Sequence, residues 1–546
     1  MDPETAAWYL VLASGVAVSI VVLVVLAKPR GRWARRLRER FYLGLPWGTL
    51  GVVAVVAVFY LFVQGGLGSP RDPIEIPFRA YSYFYPLGML TSGFAHSGLS
   101  HVTSNLLATL VFGSLAEYAW GHFPDDGQDG PAVPRLSEPS IRIAVWVGAI
   151  VITGLFTSLF SLGPTIGFSG VVFAFVGFAL VQFPIATIVA ALSAGIVTQL
   201  YRAIQTPELR QTARETFSQP WWAGIAIQSH AVGLLIGATA GIALLYQRDV
   251  RPTPEHVWLA ALAFAVDRGL WAVYLPEGSE TFRLFRALGM AAVFLLAALV
   301  ASGATATVGD LVPRIDLTRR EAAFGLVIAA TLALSFVAVP LNLYGVDDPS
   351  TGLEKAEPVE VRDYTVFYAE DVENQFVPAV SIPGGMNGTD GGLDSSGVIV
   401  VSEQRNIWWE EVSKRRLASE GTATIRVGGV TWSEDVRANR TTWAVAGGNK
   451  TYNVRLGRST ADDRPVVFRA DPADTDAVID GRNISIAPVE ERFEVVVSRD
   501  NETIDSVGIP ADNETATAGG ISFRREGRDL IAERGDTRVR IARQPE

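Results

Sequence analysis

The sequence predicts a polytopic α-helical membrane protein that carries an all-β C-terminal domain. Three observations lead there. The chain of 546 residues is 49% hydrophobic with a mean hydropathy of +0.26, too apolar for a water-soluble protein of this size. Most of that apolar weight lies before residue 345, in ten runs that approach or exceed the ~20 residues needed to cross a bilayer. Beyond residue 345 the pattern changes to short alternating segments punctuated by Gly, Asn, Asp and Pro, which is the signature of strands and turns.

The apolar runs fall near 6–27, 47–66, 101–120, 142–162, 169–183, 184–201, 222–246, 255–275, 284–303 and 321–344. The first reads as a retained anchor, because Asp2 and Glu4 stand where a cleavable signal peptide has positive charge. The fifth and sixth runs are nearly continuous, and Pro184 marks the break between them, since proline removes a backbone donor and clashes one turn back. In the eighth run Asp267 and Arg268 are adjacent, so a continuous helix would point them to different faces and keep them from neutralising each other. They read as helix-packing or interfacial groups.

Orientation follows from two independent signals. The segment KPRGRWARRLRER after the first run is dense in arginine, which places it in the cytoplasm and the N-terminus outside. With ten spans, Arg248, Arg251, Arg314, Arg319 and Arg320 are cytoplasmic as well, and the tail lies outside. The loop 121–140 fits this less well, being more acidic than basic. The second signal is a set of glycosylation sequons at Asn387, Asn439, Asn449, Asn483, Asn501 and Asn513, all in the tail, which predicts a glycoprotein with the tail where glycosylation occurs. Beside a membrane span the arginine run is an anchor for anionic lipid headgroups, and no nucleic acid partner is expected. With a net charge of −10 and no cysteine, the chain has neither a disulfide framework nor a thiolate metal site. No metal and no cofactor are expected.

The tail includes EVRDYTVFYAE, SGVIVVSEQ, GTATIRVGGVTW, TYNVRLGR and RFEVVVSRD, and it predicts a sandwich or a similar all-β domain, possible in two halves. Nothing in it gathers into a catalytic or metal-ligating set. Four segments result: 1–46 an N-terminal anchor and basic loop, 47–246 a helical core, 247–344 additional transmembrane helices, and 345–546 the β-rich domain.

The chemistry is concentrated in the core. His96, His101 and Asn105 lie in HSGLSHVTSN, Ser169 in GFSG, and His230 in SHAVGLLIG. A serine nucleophile, a histidine base and side-chain oxyanion donors are the parts that acyl transfer needs. His101 and Asn105 are four residues apart and share a helix face. Ser169 sits between Gly167 and Gly170 at the start of an apolar run, where a helix N-terminus supplies partial positive charge. His230 is followed by Gly233, Gly237 and Gly241 on one face, and the Ser169 run has its own small face at Gly170, Ala174 and Gly177. Two such faces pack closely, which would bring Ser169 and His230 within reach.

Taken together, residues 47–246 resemble the rhomboid intramembrane serine proteases. The family pattern is H-x4-H-x3-N, then G-x-S-G, then A/S-H-x2-G-x3-G, and all three motifs occur here in order. The resemblance implies a rhomboid-like six-helix core, to which one N-terminal and about three C-terminal helices are added. It implies Ser169 as nucleophile and His230 as general base without a third carboxylate. His101, Asn105 and the Ser169 backbone N–H would stabilise the oxyanion, and His96, Gly167, Gly170, Gly233 and Gly237 would support the site. The loop 67–98, with Phe78, Tyr81, Tyr83, Phe84 and Tyr85, corresponds to the family's interfacial first loop, although the Trp-Arg pair of many members is absent. Its aromatics are expected to anchor in the interface. The segment 202–221 corresponds to the loop that caps the active site. Membrane protein substrates and the lipid bilayer are the expected partners, with no oligomeric state assigned. Two alternatives remain open: a proteolytically inactive rhomboid-like protein that binds membrane clients, and a surface-binding protein acting through its β tail.

Overall fold

The computed structural model describes residues 3–27, 31–124, 138–203, 225–276, 282–312, 317–378, 394–461 and 464–545. The chain divides into a helical unit ending at Leu343 and a β-rich unit whose main body starts at Tyr344. The predicted capping loop 202–221, Arg314 and the sequon at Asn387 lie wholly or mostly outside the described residues.

The helical unit contains α1 (Pro3–Ala27), α2 (Arg32–Arg40), α3 (Trp47–Val63), α4 (Pro86–Thr91), α5 (Leu99–Trp120) and α6 (Pro139–Leu159). It continues through α7 (Ser169–Gln182), α8 (Pro184–Ala203), α9 (Ile227–Gln247), α10 (Pro254–Asp267), α11 (Arg286–Thr305) and α12 (Arg319–Leu341). Among the described residues, five helices are long and apolar enough to cross a membrane: α5, α6, α9, α11 and α12. Shorter apolar stretches occur at Tyr9–Val22, Trp47–Val63, Ser169–Gln182 and Pro184–Ser193.

Local chemistry explains several boundaries. Phe183 leaves the helical conformation and Pro184 opens α8, the first-turn position that proline tolerates. At the start of α12, the Thr318 side chain accepts from Glu321 N–H at 3.1 Å while Glu321 accepts from Thr318 N–H at 3.0 Å, a reciprocal cap. The N-terminus of α3 is satisfied from a distance. Fully buried Glu117 accepts the N–H groups of Gly48 and Thr49 at 2.8 and 2.7 Å and the Thr49 hydroxyl at 2.6 Å, placing a carboxylate where the helix dipole favours one.

The predicted run 255–275 is helical only to Asp267. Gly269, at φ 72°, stops it: its N–H bonds Val266 O at 3.2 Å and the Leu270 N–H bonds Ala265 O at 2.9 Å, a paired closure that glycine favours. Because the backbone leaves the helix there, Arg268 reaches Asp267 at 3.1 Å, so the expectation that these neighbours stay apart is corrected. In the 222–246 run, of which residues 225 onward are described, α9 starts at Ile227, which puts His230 in its first turn rather than two turns in.

At the centre stands α7, buried on every side from Gly170 to Val181, as an all-apolar helix must be. Its closest partner is α9. A Cβ on Gly233 would strike Gly170 O, one on Gly237 would strike Ala174 O, and one on Gly177 would strike Leu234 O, so the two backbones touch only because these positions lack side chains. The first-loop aromatics behave differently from expectation. Phe78, Tyr81 and Tyr85 are buried inside the unit and only Phe84 is strongly exposed, because the loop folds back on the helices, with Phe78 packed edge-on against Phe59.

The β-rich unit is built from antiparallel strands. One four-stranded sheet runs Ile407–Ser413, Asp394–Ser402, Tyr364–Glu373, Val359–Val361 in spatial order, and another runs Ala473–Ile479, Arg482–Val489, Arg492–Arg499, Glu502–Gly508. An eight-stranded sheet takes four strands from Thr422 to Arg469, between the two in sequence, and four from Thr515 to Arg543, after the second. Two-residue turns such as Asp480-Gly481 (φ 49° and 68°) join the hairpins, matching the left-handed geometry such turns require. Strand Arg492–Arg499 alternates buried and less buried residues, whereas Asp394–Ser402 is buried along most of its length; buried clusters gather around Phe367, Ile399 and Trp408 and around Trp443, Ile484 and Phe523.

Candidate active site

Ser169 is the first residue of α7 and His230 is in the first turn of α9, and the glycine contact between these helices aligns their N-terminal ends. The result is a hydrogen bond between Ser169 Oγ and His230 Nε2 at 2.7 Å. Among the described residues, buried His230 Nδ1 has no hydrogen-bond partner. Phe173, one turn after Ser169, stacks on the His230 ring with centroids 4.2 Å apart and planes 11° apart.

Across from the pair, Gly167 adopts φ 133° and lies against His101: a Cβ there would be 2.7 Å from the His101 ring. Ser97 lies beside His101 Nδ1, with its N–H at 3.4 Å and its hydroxyl at 3.0 Å, and His101 Nε2 is the ring nitrogen next to Gly167. Asn105 is buried, and among the described residues its Nδ2 has no hydrogen-bond partner. An unpaired amide donor in such a place is costly unless something arrives to accept from it. The first N–H groups of α7 have no partner within the helix either.

His96 is fully buried and faces the His101 ring edge-on. Its Nε2 accepts the Phe168 N–H at 3.5 Å, and Gln64 holds its backbone on both sides, accepting from N–H and donating to O, each at 2.8 Å. It therefore fixes the backbone that presents Ser169. On the other side of Ser169 lies a cavity of about 20 Å³ with the hydroxyls of Ser92, Thr157, Ser158, Ser161, Thr165 and Ser229 on its walls, large and polar enough for about one water molecule. Among the described residues, no group of three His, Cys, Asp or Glu side chains is arranged to hold a metal.

The structure thus brings together Ser169, His230, His101, Asn105, His96 and Gly167, while Gly170, Gly233 and Gly237 form the helix contact beneath them. Three contributors carry no motif in the sequence: Phe173, Ser97 and Gln64. Phe173 was accessible, because a residue four after a candidate nucleophile at a helix start lies on the same face. Gln64 gave no signal, since its partner is 32 residues away and the bonds are to backbone.

In comparison with known families, residues 84–247 match the model of the rhomboid domain. Neither the curated proteins nor the solved structures contain a match to the chain.

Proposed function

The protein belongs to the rhomboid family through its domain at residues 84–247 and is a multi-pass membrane protein, and from that premise we propose that it is an active intramembrane serine endopeptidase. The observation that carries this is the 2.7 Å contact between Ser169 Oγ and His230 Nε2, with the buried amide of Asn105 lying near Gly167, two residues before Ser169. Substrates are the transmembrane or juxtamembrane segments of other membrane proteins.

In acylation, Ser169 Oγ attacks the scissile carbonyl carbon as its proton passes to His230 Nε2. The developing oxyanion accepts from Asn105 Nδ2, His101 Nε2–H and the first N–H of α7, donors already placed before charge develops. Collapse of the intermediate breaks the C–N bond, and the amine leaves with the proton from His230. A water then attacks the acyl-enzyme and gives its proton to His230; collapse breaks the bond to Ser169 Oγ, which takes that proton back as the carboxyl product leaves. The hydroxyl-lined cavity beside Ser169 is a place to hold that water within an apolar surrounding.

The proposed orientation has the N-terminus and the β-rich unit outside the cell. Arg142 and Arg248 support it by donating to the carbonyls of Gly121 and Ala119, where α5 ends: the positive-inside rule places that end in the cytoplasm and Ser169, at the opposite end of its helix, toward the outer face. Asn449, Asn483, Asn501 and Asn513 are exposed, while Asn439 is half-buried and donates to Thr422, so four of the described sequons are accessible to modification.

The test is labelling of purified, detergent-solubilised protein with a fluorescent fluorophosphonate, wild type beside Ser169→Ala and His230→Ala. Labelling only of the wild type supports an activated serine. A folded wild type that stays unlabelled replaces this reading with that of an inactive client-binding protein.

A further inference from the structure

The backbone that joins α6 to α7 walls the cavity beside Ser169, and at its start four successive residues are held by side chains from elsewhere. Leu159 O accepts from the Tyr83 hydroxyl at 2.7 Å, and Phe160 O accepts from Gln228 Nε2 at 2.8 Å. Ser161 O accepts from Asn342 Nδ2 at 2.6 Å, and the Leu162 N–H donates to Gln228 Oε1 at 3.1 Å. A helix C-terminus leaves carbonyls that need partners, and here each donor comes from a different part of the chain. Ser161 itself lines the cavity, eight residues before Ser169.

Two of these attachments lead outside the rhomboid domain match. Asn342, fully buried, follows α12 directly, and its own carbonyl accepts the Tyr83 N–H at 3.0 Å. Gln228 Nε2 also donates to Leu334 O in α12 at 2.9 Å, and Gln228 stands two residues before His230 on α9. The appended helix α12 therefore grips both the cavity wall and the first turn that carries the histidine. Asn342 is also the last residue but one before the β-rich unit begins at Tyr344.

We propose that Asn342 is a positioning residue of the active site, so that α12, outside the family domain, is a working part of the catalytic unit. This rests on the protease reading above. Its amide sets the place of the Ser161 carbonyl and with it the wall that holds the water and leads into Gly167 and Ser169. A displacement of even about 1 Å at reacting groups costs up to about 100-fold in rate. The stem of the β-rich unit is thereby tied covalently to a residue that shapes the site.

The experiment uses the full-length protein and the fluorophosphonate probe, separating the maximal phosphonylation rate from probe affinity and from the labelled fraction. Asn342→Leu keeps a similar volume and removes the donor, and Gln228→Met does the same for the second clamp. The expected result is a maximal rate lower by between about 10-fold and about 100-fold, with affinity unchanged and the folded molecules still labelling to completion. A merely structural role would lower the labelled fraction and leave the rate of the remainder intact, and that result overturns the proposal. If Asn342→Leu does not fold, Gln228→Met decides in the same way. A wild type that does not label at all removes the protease reading itself, whereas normal rates in both variants remove only the role of the clamp.

Discussion

Phe173 lies face to face with His230, with ring centroids 4.2 Å apart and planes 11° apart. The contact matters because, among the described residues, the histidine's Nδ1 has no hydrogen-bond partner. In serine hydrolases with a third acidic residue, a bond at Nδ1 fixes ring orientation and tautomer. Here a buried aromatic face does the orienting, and the bond to Ser169 at 2.7 Å completes it.

Substituting Phe173→Leu is therefore expected to slow phosphonylation of Ser169 on the order of 10-fold while leaving probe affinity nearly unchanged, since the imidazole loses its flat support but not its chemistry. Time courses of fluorophosphonate labelling check this. An unchanged rate would show that packing from other residues suffices to hold the ring.

The proposed oxyanion donors are expected to act in parallel. Asn105→Ala removes one unpartnered amide and should lower turnover on the order of 10², the usual cost of one oxyanion donor. Ser169→Ala and His230→Ala should each abolish labelling, since nucleophile and base fail together. Equal and total loss in Asn105→Ala would instead mean that the substitution disrupts the fold around α5, and a thermal melt of the purified variant separates the two outcomes.

Much of this site was legible in the sequence because its parts sit in short motifs whose helical spacing places them: His101 with Asn105, Ser169 beside Gly167 and Gly170, His230 above its glycines. Residues that act through backbone bonds across long separations were not legible. Asn342 reaches Ser161 over 181 positions, and Gln228 reaches Leu334 over 106; an amide in an apolar stretch gives no hint of which carbonyl it will meet. The direction in which a loop folds is hidden for a similar reason. The first-loop aromatics have the composition of an interfacial belt, yet Phe78, Tyr81 and Tyr85 turn inward, and composition does not say which way a loop folds. The stop at Gly269 was readable in principle, because glycine after an apolar helical run is a common closing signal.

The glycine contact between α7 and α9 makes a prediction about folding rather than chemistry. A methyl at Gly237 would collide with the backbone carbonyl of Ala174, which has no rotamer to escape into. Gly237→Ala must push the helices apart and is expected to lower the thermal midpoint markedly, since overpacking typically costs about 1 to 3 kcal/mol. In the protein that remains folded, labelling should fall as well, because the same contact sets the distance from Ser169 to His230. Gly148, with nothing near its Cβ position, is the matched control, and Gly148→Ala should leave both quantities near wild type.

The β-rich unit makes a prediction about pH. Asp363 is partly buried, which on its own raises its pKa, but Arg405 outweighs this through two bonds, Nε to Oδ2 at 2.5 Å and Nη2 to Oδ1 at 3.2 Å, and through its charge. The Ser402 hydroxyl adds a third bond at 3.1 Å, and the net effect holds Asp363 below its ordinary value. A carboxyl depressed on folding contributes stability that is fully present above its unfolded pKa of about 3.9 and is lost as pH falls through the folded value. Asp363→Asn should therefore melt about 5 °C below wild type at pH 7. The gap should hold down to about pH 4 and close as the solution is made more acidic, because the wild-type carboxyl is then protonated too. The measurement is the midpoint for loss of β signal in both proteins across that range, and a gap that stays constant into strong acid would show that the asparagine acts through packing rather than through the lost charge.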